Sequence, residues 1–185
     1  MTDDMAHVTT EGQVRVGADS LSQQPDPGDV GLTHGSGLVD WAIRFAEARR
    51  YGRSSPQANW NHAFLIVDAE GGLIEAQGHG VVRNSLKAEY SHADYVIMRP
   101  PFPAGGADRA VAVMTAMLGD HYGYLEIVCE GLAFLTQTRL RFAVAGEHIC
   151  SGAVSRAVTV GGVDMGDDEE WNSPADVMNV ALKGK

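Results

Sequence analysis

The residues best suited to chemistry lie in Gly146-Glu147-His148-Ile149-Cys150-Ser151-Gly152-Ala153-Val154-Ser155-Arg156-Ala157-Val158. Ile149, Ala153 and Ala157 fall one helical turn apart, with Cys150, Val154 and Val158 beside them, which is the spacing of a buried helix. Cys150 would then stand in the first turn, where the unpaired N–H groups and the positive end of the helix dipole favour a thiolate, the form that attacks a carbonyl carbon. Cysteine is also among the residues most often buried as a small hydrophobe. A nucleophilic thiol therefore needs a base from elsewhere in the chain.

Of the seven histidines, His62 has the strongest structural argument, because it opens the most strand-like stretch, Asn61-His62-Ala63-Phe64-Leu65-Ile66-Val67-Asp68, and regular backbone would hold its ring. Across a turn at Glu70-Gly71-Gly72, the neighbouring strand Leu73-Ile74-Glu75-Ala76-Gln77 carries a candidate orienting acid, Glu75. Register decides whether the two meet, since a slip of one residue would put them on opposite faces. A solvent-exposed strand-end histidine and a solvated edge glutamate are the alternatives. Glu89, Glu126, Glu147 and His148 compete for similar roles.

The elements that must position these groups can be followed along the chain. Residues 1–26 are polar, with little periodicity apart from Val14 and Val16, and read as a flexible or docking arm. Order is expected from Pro27-Gly28-Asp29, a turn into a short strand at Val30-Gly31-Leu32-Thr33. Ser36 would cap an amphipathic helix with Leu38, Trp41, Ala42 and Phe45 on one face, ending near Arg49, Arg50 and Gly52. After the strand of Glu75, Val81-Val82-Arg83 and Asp94-Tyr95-Val96-Ile97-Met98-Arg99 continue what reads as an antiparallel meander, closed by Pro100-Pro101-Phe102-Pro103. The second half is helical in pattern: Ala107–Leu118, Tyr124–Leu135, the cysteine helix, and a last helix opened by Ser173 at the N-cap and Pro174 at the first position. Gly161-Gly162 and the acidic Asp164–Glu170 stretch read as a solvated loop. Strands followed by helices predict an α+β fold, with an antiparallel sheet packed by helices in one domain over residues 27–182.

Composition narrows the function. The chain has 185 residues, 44% hydrophobic, with 14 Lys and Arg against 24 Asp and Glu, so its formal charge is −10 and no basic run offers a footprint for phosphates. Nucleic acid is not expected as a partner. No apolar run approaches the ~20 residues that span a bilayer, and Met1-Thr2-Asp3-Asp4-Met5 is acidic where a signal peptide would be basic, so no membrane span and no signal peptide are expected. The two cysteines, Cys129 and Cys150, do not suggest a disulfide scaffold, and neither a Cys-x-x-Cys pair nor clustered histidines suggest a metal. Cys129, between Val128 and Glu130, reads as core packing. No cofactor is expected.

Taken together, Gly28-Asp29-Val30 before a strand, Ser36-Gly37-Leu38-Val39 opening a helix, Asn61-His62-Ala63 entering a strand, Ile74-Glu75-Ala76 on the next, Gly80-Val81-Val82 after it and Cys150-Ser151 heading a helix resemble the circularly permuted branch of the NlpC/P60 papain-like hydrolases. The resemblance covers about residues 27–180. Its order is specific, because this branch places the histidine strand before the cysteine helix where papain does the reverse. It implies a permuted papain-like fold and a cysteine peptidase or amidase whose catalytic cysteine, histidine and third polar residue are Cys150, His62 and Glu75. Asp29 and Ser173-Pro174-Ala175-Asp176 match structural positions, and Gly152 stands where relatives often carry an acidic residue.

The chemistry so implied is attack of Cys150 on an amide or ester carbonyl, with His62 moving the proton and Glu75 holding the imidazole tautomer. The Cys150 N–H would meet the oxyanion, with Asn61, Tyr122 or Tyr124 as a second donor, and Trp60, Trp41 and Phe45 could line an apolar groove. The expected substrate is a cell-wall peptide or an acylated small molecule. The alternative is a structural or docking component of a phage particle or other assembly, bound through residues 1–26, which keeps the fold with or without activity. The expected location is accordingly cytoplasmic or virion-associated. A redox pair of Cys129 and Cys150 is a third reading.

Overall fold

The structure is a computed structural model that describes residues 13–16, 25–33, 60–122, 147–166 and 172–183. Its elements in chain order are β1 (Gln13–Val16), β2 (Val30–Thr33), β3 (His62–Ile66), β4 (Gly72–Gln77), β5 (Gly80–Ser85), α1 (Leu86–Glu89), β6 (Tyr95–Met98), α2 (Gly106–Ala116), β7 (His121–Tyr122), β8 (Glu147–His148), α3 (Cys150–Gly161) and α4 (Pro174–Lys183). The fold is α+β. Most of the strands form a six-stranded sheet in the order β1-β6-β2-β3-β4-β5, antiparallel throughout, and β7 pairs in parallel with β8.

Strands β2, β3, β4 and β5 lie side by side in chain order, each antiparallel to the next. The expectation that Asp94–Arg99 continues the meander after β5 is corrected by the topology, in which β6 lies beside β2, separated from β5 by β2, β3 and β4. The outer edge of β5 is already engaged, since the Val81 N–H donates to Asp120 O at 2.9 Å and the Gly119 N–H donates to Val81 O at 3.0 Å. The chain instead crosses the sheet through α1, whose Leu86 and following Tyr90 are buried against it. Four residues of the polar N-terminal segment, Gln13–Val16, form β1 on the outer side of β6.

Side chains alternate between two faces of the sheet, as period-two strands require. One face carries Val30, Leu32, Ala63, Leu65, Ile74, Ala76, Val96 and Met98, and packs with Ala110 and Met114 of α2 and with Cys150, Ala153, Val154, Ala157 and Val158 of α3. All the apolar positions that define the cysteine helix by spacing are buried. The other face carries Phe64, Ile66, Leu73, Tyr95 and Ile97, covered by Leu86 and Tyr90. Burying a side chain such as Phe64 or Leu65 contributes about 1.5–3 kcal/mol, so these two layers dominate the stability of the sheet.

Helices α2 and α3 approach to backbone contact. A Cβ at Gly106 would lie 2.4 Å from Gly161 O, so only glycine permits the crossing. Arg109 fastens the same junction, donating from Nη2 to Gly161 O at 2.9 Å at the end of α3, where a cation suits the helix dipole. Val163 and Met165 turn back into the core, so the expectation of a solvated loop does not hold for Met165, although Asp164 and Gly166 are exposed. At α4, the Ser173 hydroxyl and the Asp176 carboxylate form a reciprocal cap: the Asp176 N–H donates to Ser173 Oγ at 3.3 Å, and the Ser173 N–H donates to Asp176 Oδ2 at 3.1 Å. Asp29 is buried and accepts two hydrogen bonds from Arg99, from Nε at 2.8 Å and Nη2 at 3.0 Å, which ties the turn before β2 to the end of β6. Both Asp29 and the Ser173–Asp176 pair thus have structural partners.

Candidate functional site

Cys150 is the first residue of α3, preceded by an extended Ile149, so its thiol lies where the first-turn N–H groups lack intrahelical acceptors. The apolar stripe of α3 pins this helix end against the sheet, and Cys150 is 4% exposed. Its Sγ contacts the Asn61 carbonyl at 4.0 Å, which places the thiol at the N-terminal end of β3, beside His62.

Register brings Glu75 to His62. Phe64 pairs with Glu75 and Leu65 with Ile74, so His62, two residues before Phe64, shares a face with Glu75 and meets it diagonally. His62 Nε2 lies 2.6 Å from Glu75 Oε2. The glutamate is fully buried and the histidine side chain is 16% exposed. The Cys150 side chain is near enough to act on the His62 ring electrostatically. With Nε2 committed to Glu75, Nδ1 is the ring nitrogen left for the thiol. The start of β3 thus lies between the Cys150 thiol, packed on one face of the sheet, and the Glu75 carboxylate on the other.

Glu75 is held by more than His62. Its Oε1 accepts from Gln77 Nε2 at 2.9 Å and from Asn84 Nδ2 at 2.7 Å, and its Oε2 accepts from the Tyr90 hydroxyl. The face-sharing of Gln77 with Glu75 follows from strand alternation. Asn84 follows once the turn at Gly78-His79 is seen to pair Gln77 with Gly80, because Leu73 then stands opposite Asn84. No local signal in the sequence identifies Tyr90, which reaches the carboxylate only because α1 crosses the face.

The electrostatics follow from these contacts. Burial works against a charged His62, but the electrostatic influence of the nearby Cys150 side chain and of the Glu75 carboxylate outweighs it, and the His62 pKa is pushed up to about 10. Burial would raise the pKa of Glu75, yet its hydrogen bond to His62 and the charge there, with help from Asn84 and Tyr90, bring it below the ordinary carboxylate value. Burial first, and then the charge of Glu75, push the Tyr90 hydroxyl far up, so it stays protonated and donates. The arrangement suits a protonated His62 imidazole held by an ionised Glu75.

The remaining sequence candidates are distributed unevenly. Asn61 is buried beside Cys150, and its backbone N–H donates to Thr33 O at 3.1 Å. Trp60 is buried within the main core. Tyr122 pairs through its backbone with His148, two residues before Cys150. Glu89 is exposed at the end of α1. Tyr124, Glu126, Cys129, Trp41, Phe45 and the two helices expected over 38–50 and 124–135 lie outside the described residues. Among the described residues, no cluster of three His, Cys, Asp or Glu side chains could hold a metal, and no helix is long and apolar enough to cross a membrane. No protein-family model matches this sequence, and no curated protein is found as a relative.

Proposed function

We propose that this protein is a cysteine hydrolase that cleaves an amide, or an ester, through a thioester intermediate, with Cys150 as nucleophile, His62 as acid and base, and Glu75 as the orienting acid. The observation that carries this reading is that the Cys150 thiol, at a helix N-terminus, lies against the start of β3 at Asn61, where the neighbouring His62 holds its Nε2 2.6 Å from the buried Glu75 carboxylate. Three unrelated side chains from β3, β4 and α3 meet in the order that acyl transfer requires. A structural ion pair alone needs no thiol at its far end.

Cys150 Sγ attacks the carbonyl carbon while the oxyanion collects at the first-turn N–H groups of α3. The imidazolium then gives its Nδ1 proton to the leaving amine, which departs and leaves an S-acyl enzyme. Water, deprotonated by Nδ1, attacks the thioester and releases the acid and the thiolate. Throughout, Glu75 keeps the proton on Nε2, so that Nδ1 is free to exchange.

The order of histidine strand, acid strand and cysteine helix supports a permuted papain-like fold of the NlpC/P60 kind, and with it a substrate bearing a peptide or acyl arm. The test is labelling with iodoacetamide, read by peptide mass at each cysteine. Cys150 is expected to react much faster than a free thiol at pH 6 to 7, and His62→Ala to abolish the advantage. Reaction of Cys150 at the rate of an ordinary thiol, unaffected by His62→Ala, would overturn the assignment.

A further inference from the structure

The third member of the site is itself held by a residue with no place in the reaction scheme. Tyr90 follows α1, is buried, and lies with its ring stacked on Phe64 at a centroid distance of 5.0 Å and an interplanar angle of 13°. Phe64 is the cross-strand partner of Glu75, and its ring covers Gly31, where a Cβ would come within 1.9 Å of it. The phenol is therefore fixed by an aromatic stack that rests on the strand pair carrying the acid. Its hydroxyl donates to Oε2, the same oxygen that faces His62 Nε2.

We propose that Tyr90 is a positioning residue of the catalytic unit, which holds Oε2 of Glu75 under the imidazole so that His62 presents Nδ1 to Cys150. This rests on the reading of Cys150, His62 and Glu75 as a hydrolase triad. The two oxygens of Glu75 have separate duties. Oε1 is anchored to its own hairpin through Gln77 and Asn84, which fixes where the carboxylate sits. Among the described residues, Oε2 has only Tyr90 and His62 as partners, so the phenol decides how that oxygen is aimed. The hydroxyl also satisfies a buried charge that the imidazole alone would leave short of a partner whenever the ring swings during proton transfer.

The test separates the hydroxyl from the ring. Tyr90→Phe keeps the stack on Phe64 and removes only the donor, while Tyr90→Leu removes both. The rate of iodoacetamide alkylation at Cys150 is measured from pH 4 to 9, alongside thermal unfolding. Tyr90→Phe is expected to lower the rate at neutral pH by about tenfold, the usual scale for a lost hydrogen bond to a charged group. It should also move the acid limb of the profile to higher pH, because a less firmly held carboxylate supports the thiolate–imidazolium pair less well. Site-specific 3-fluorotyrosine at position 90 keeps the shape but has a more acidic hydroxyl, and it should displace the limb from its wild-type position. A wild-type rate and limb in Tyr90→Phe, with only Tyr90→Leu affected and then in stability alone, would make Tyr90 a packing residue; an undisplaced limb with fluorotyrosine would do the same. Failure of the triad reading looks different: wild-type Cys150 would already react as an ordinary thiol and His62→Ala would change nothing.

Discussion

His62 and Glu75 are not cross-strand partners: Glu75 stands opposite Phe64, and the imidazole reaches the carboxylate along the diagonal, Nε2 to Oε2 at 2.6 Å. The diagonal matters because the residue directly opposite Glu75 is an aromatic that can carry Tyr90, so one register brings both His62 and Tyr90 to the carboxylate.

Loss of the thiol is the plainest case. Cys150→Ala removes one small buried side chain, so the fold is expected to persist while turnover falls by more than about 10⁴-fold, as for other nucleophiles that act as one unit with their base. Cys129→Ala should leave turnover near wild type. Equal losses in the two variants, measured on an acyl-amide substrate with circular dichroism as the folding check, would move the nucleophile elsewhere.

Glu75→Gln is expected to be worse than a lost charge. Oε1 faces two amide donors, Gln77 and Asn84, so the new carboxamide must put its oxygen there and its NH2 toward His62. That NH2 donates to Nε2, which places the imidazole proton on Nδ1, the nitrogen that has to accept from the thiol. Turnover should fall by about 10²–10⁴-fold, on the scale of a triad locked in the wrong tautomer. Nitrogen-15 shifts of His62 should show the Nδ1–H form, and retention of the Nε2–H form with full turnover would refute this. Glu89→Gln, on an exposed residue, serves as the neutral control.

The raised pKa of His62 fixes the sign of two pH effects. Alkylation of Cys150 by the anionic reagent iodoacetate should hold through neutral pH and decline as pH rises through about 10, when the imidazolium loses its proton. Neutral iodoacetamide should show no such decline. Stability from the charged histidine is fully present below 6.5 and is lost as pH rises through about 10. Glu75, whose pKa is lowered from 4.5, works the other way: its contribution is present above 4.5 and is lost as pH falls below it. Urea midpoints across pH 3 to 10.5 should fall at both ends, and His62→Ala should flatten the alkaline side.

Gly31→Ala tests the support beneath Tyr90. The added methyl would lie 1.9 Å from a Phe64 ring carbon, so the ring must shift and carry its stacked partner with it. Destabilisation of about 1–3 kcal/mol is expected, the usual cost of overpacking a close-packed core, together with slower labelling of Cys150. An unchanged urea midpoint would mean that Phe64 has room to move.

The sequence by itself determined most of the longer strands and helices among the described residues. The spacing around Cys150 determined a buried helix with the thiol in its first turn, and the runs at Val30, His62, Leu73, Val81 and Tyr95 determined the strands, because period and turn residues are set by neighbours in the chain. Ser173 and Asp176 similarly marked a helix start that the hydrogen bonds bear out. The tertiary structure decided what lies beside what. Whether His62 meets Glu75 depends on a register that a single residue would reverse, and pairing with β2 and β4 on either side settles it. The seat of β6 beside β2 depended on the edge of β5 being occupied by residues 119 and 120 and on α1 crossing the sheet. Tyr90 belongs to that crossing. Its hydroxyl reaches Glu75 across 15 residues of chain because burying Leu86 and Tyr90 covers the second face, and burial of that kind has no local period for the sequence to display.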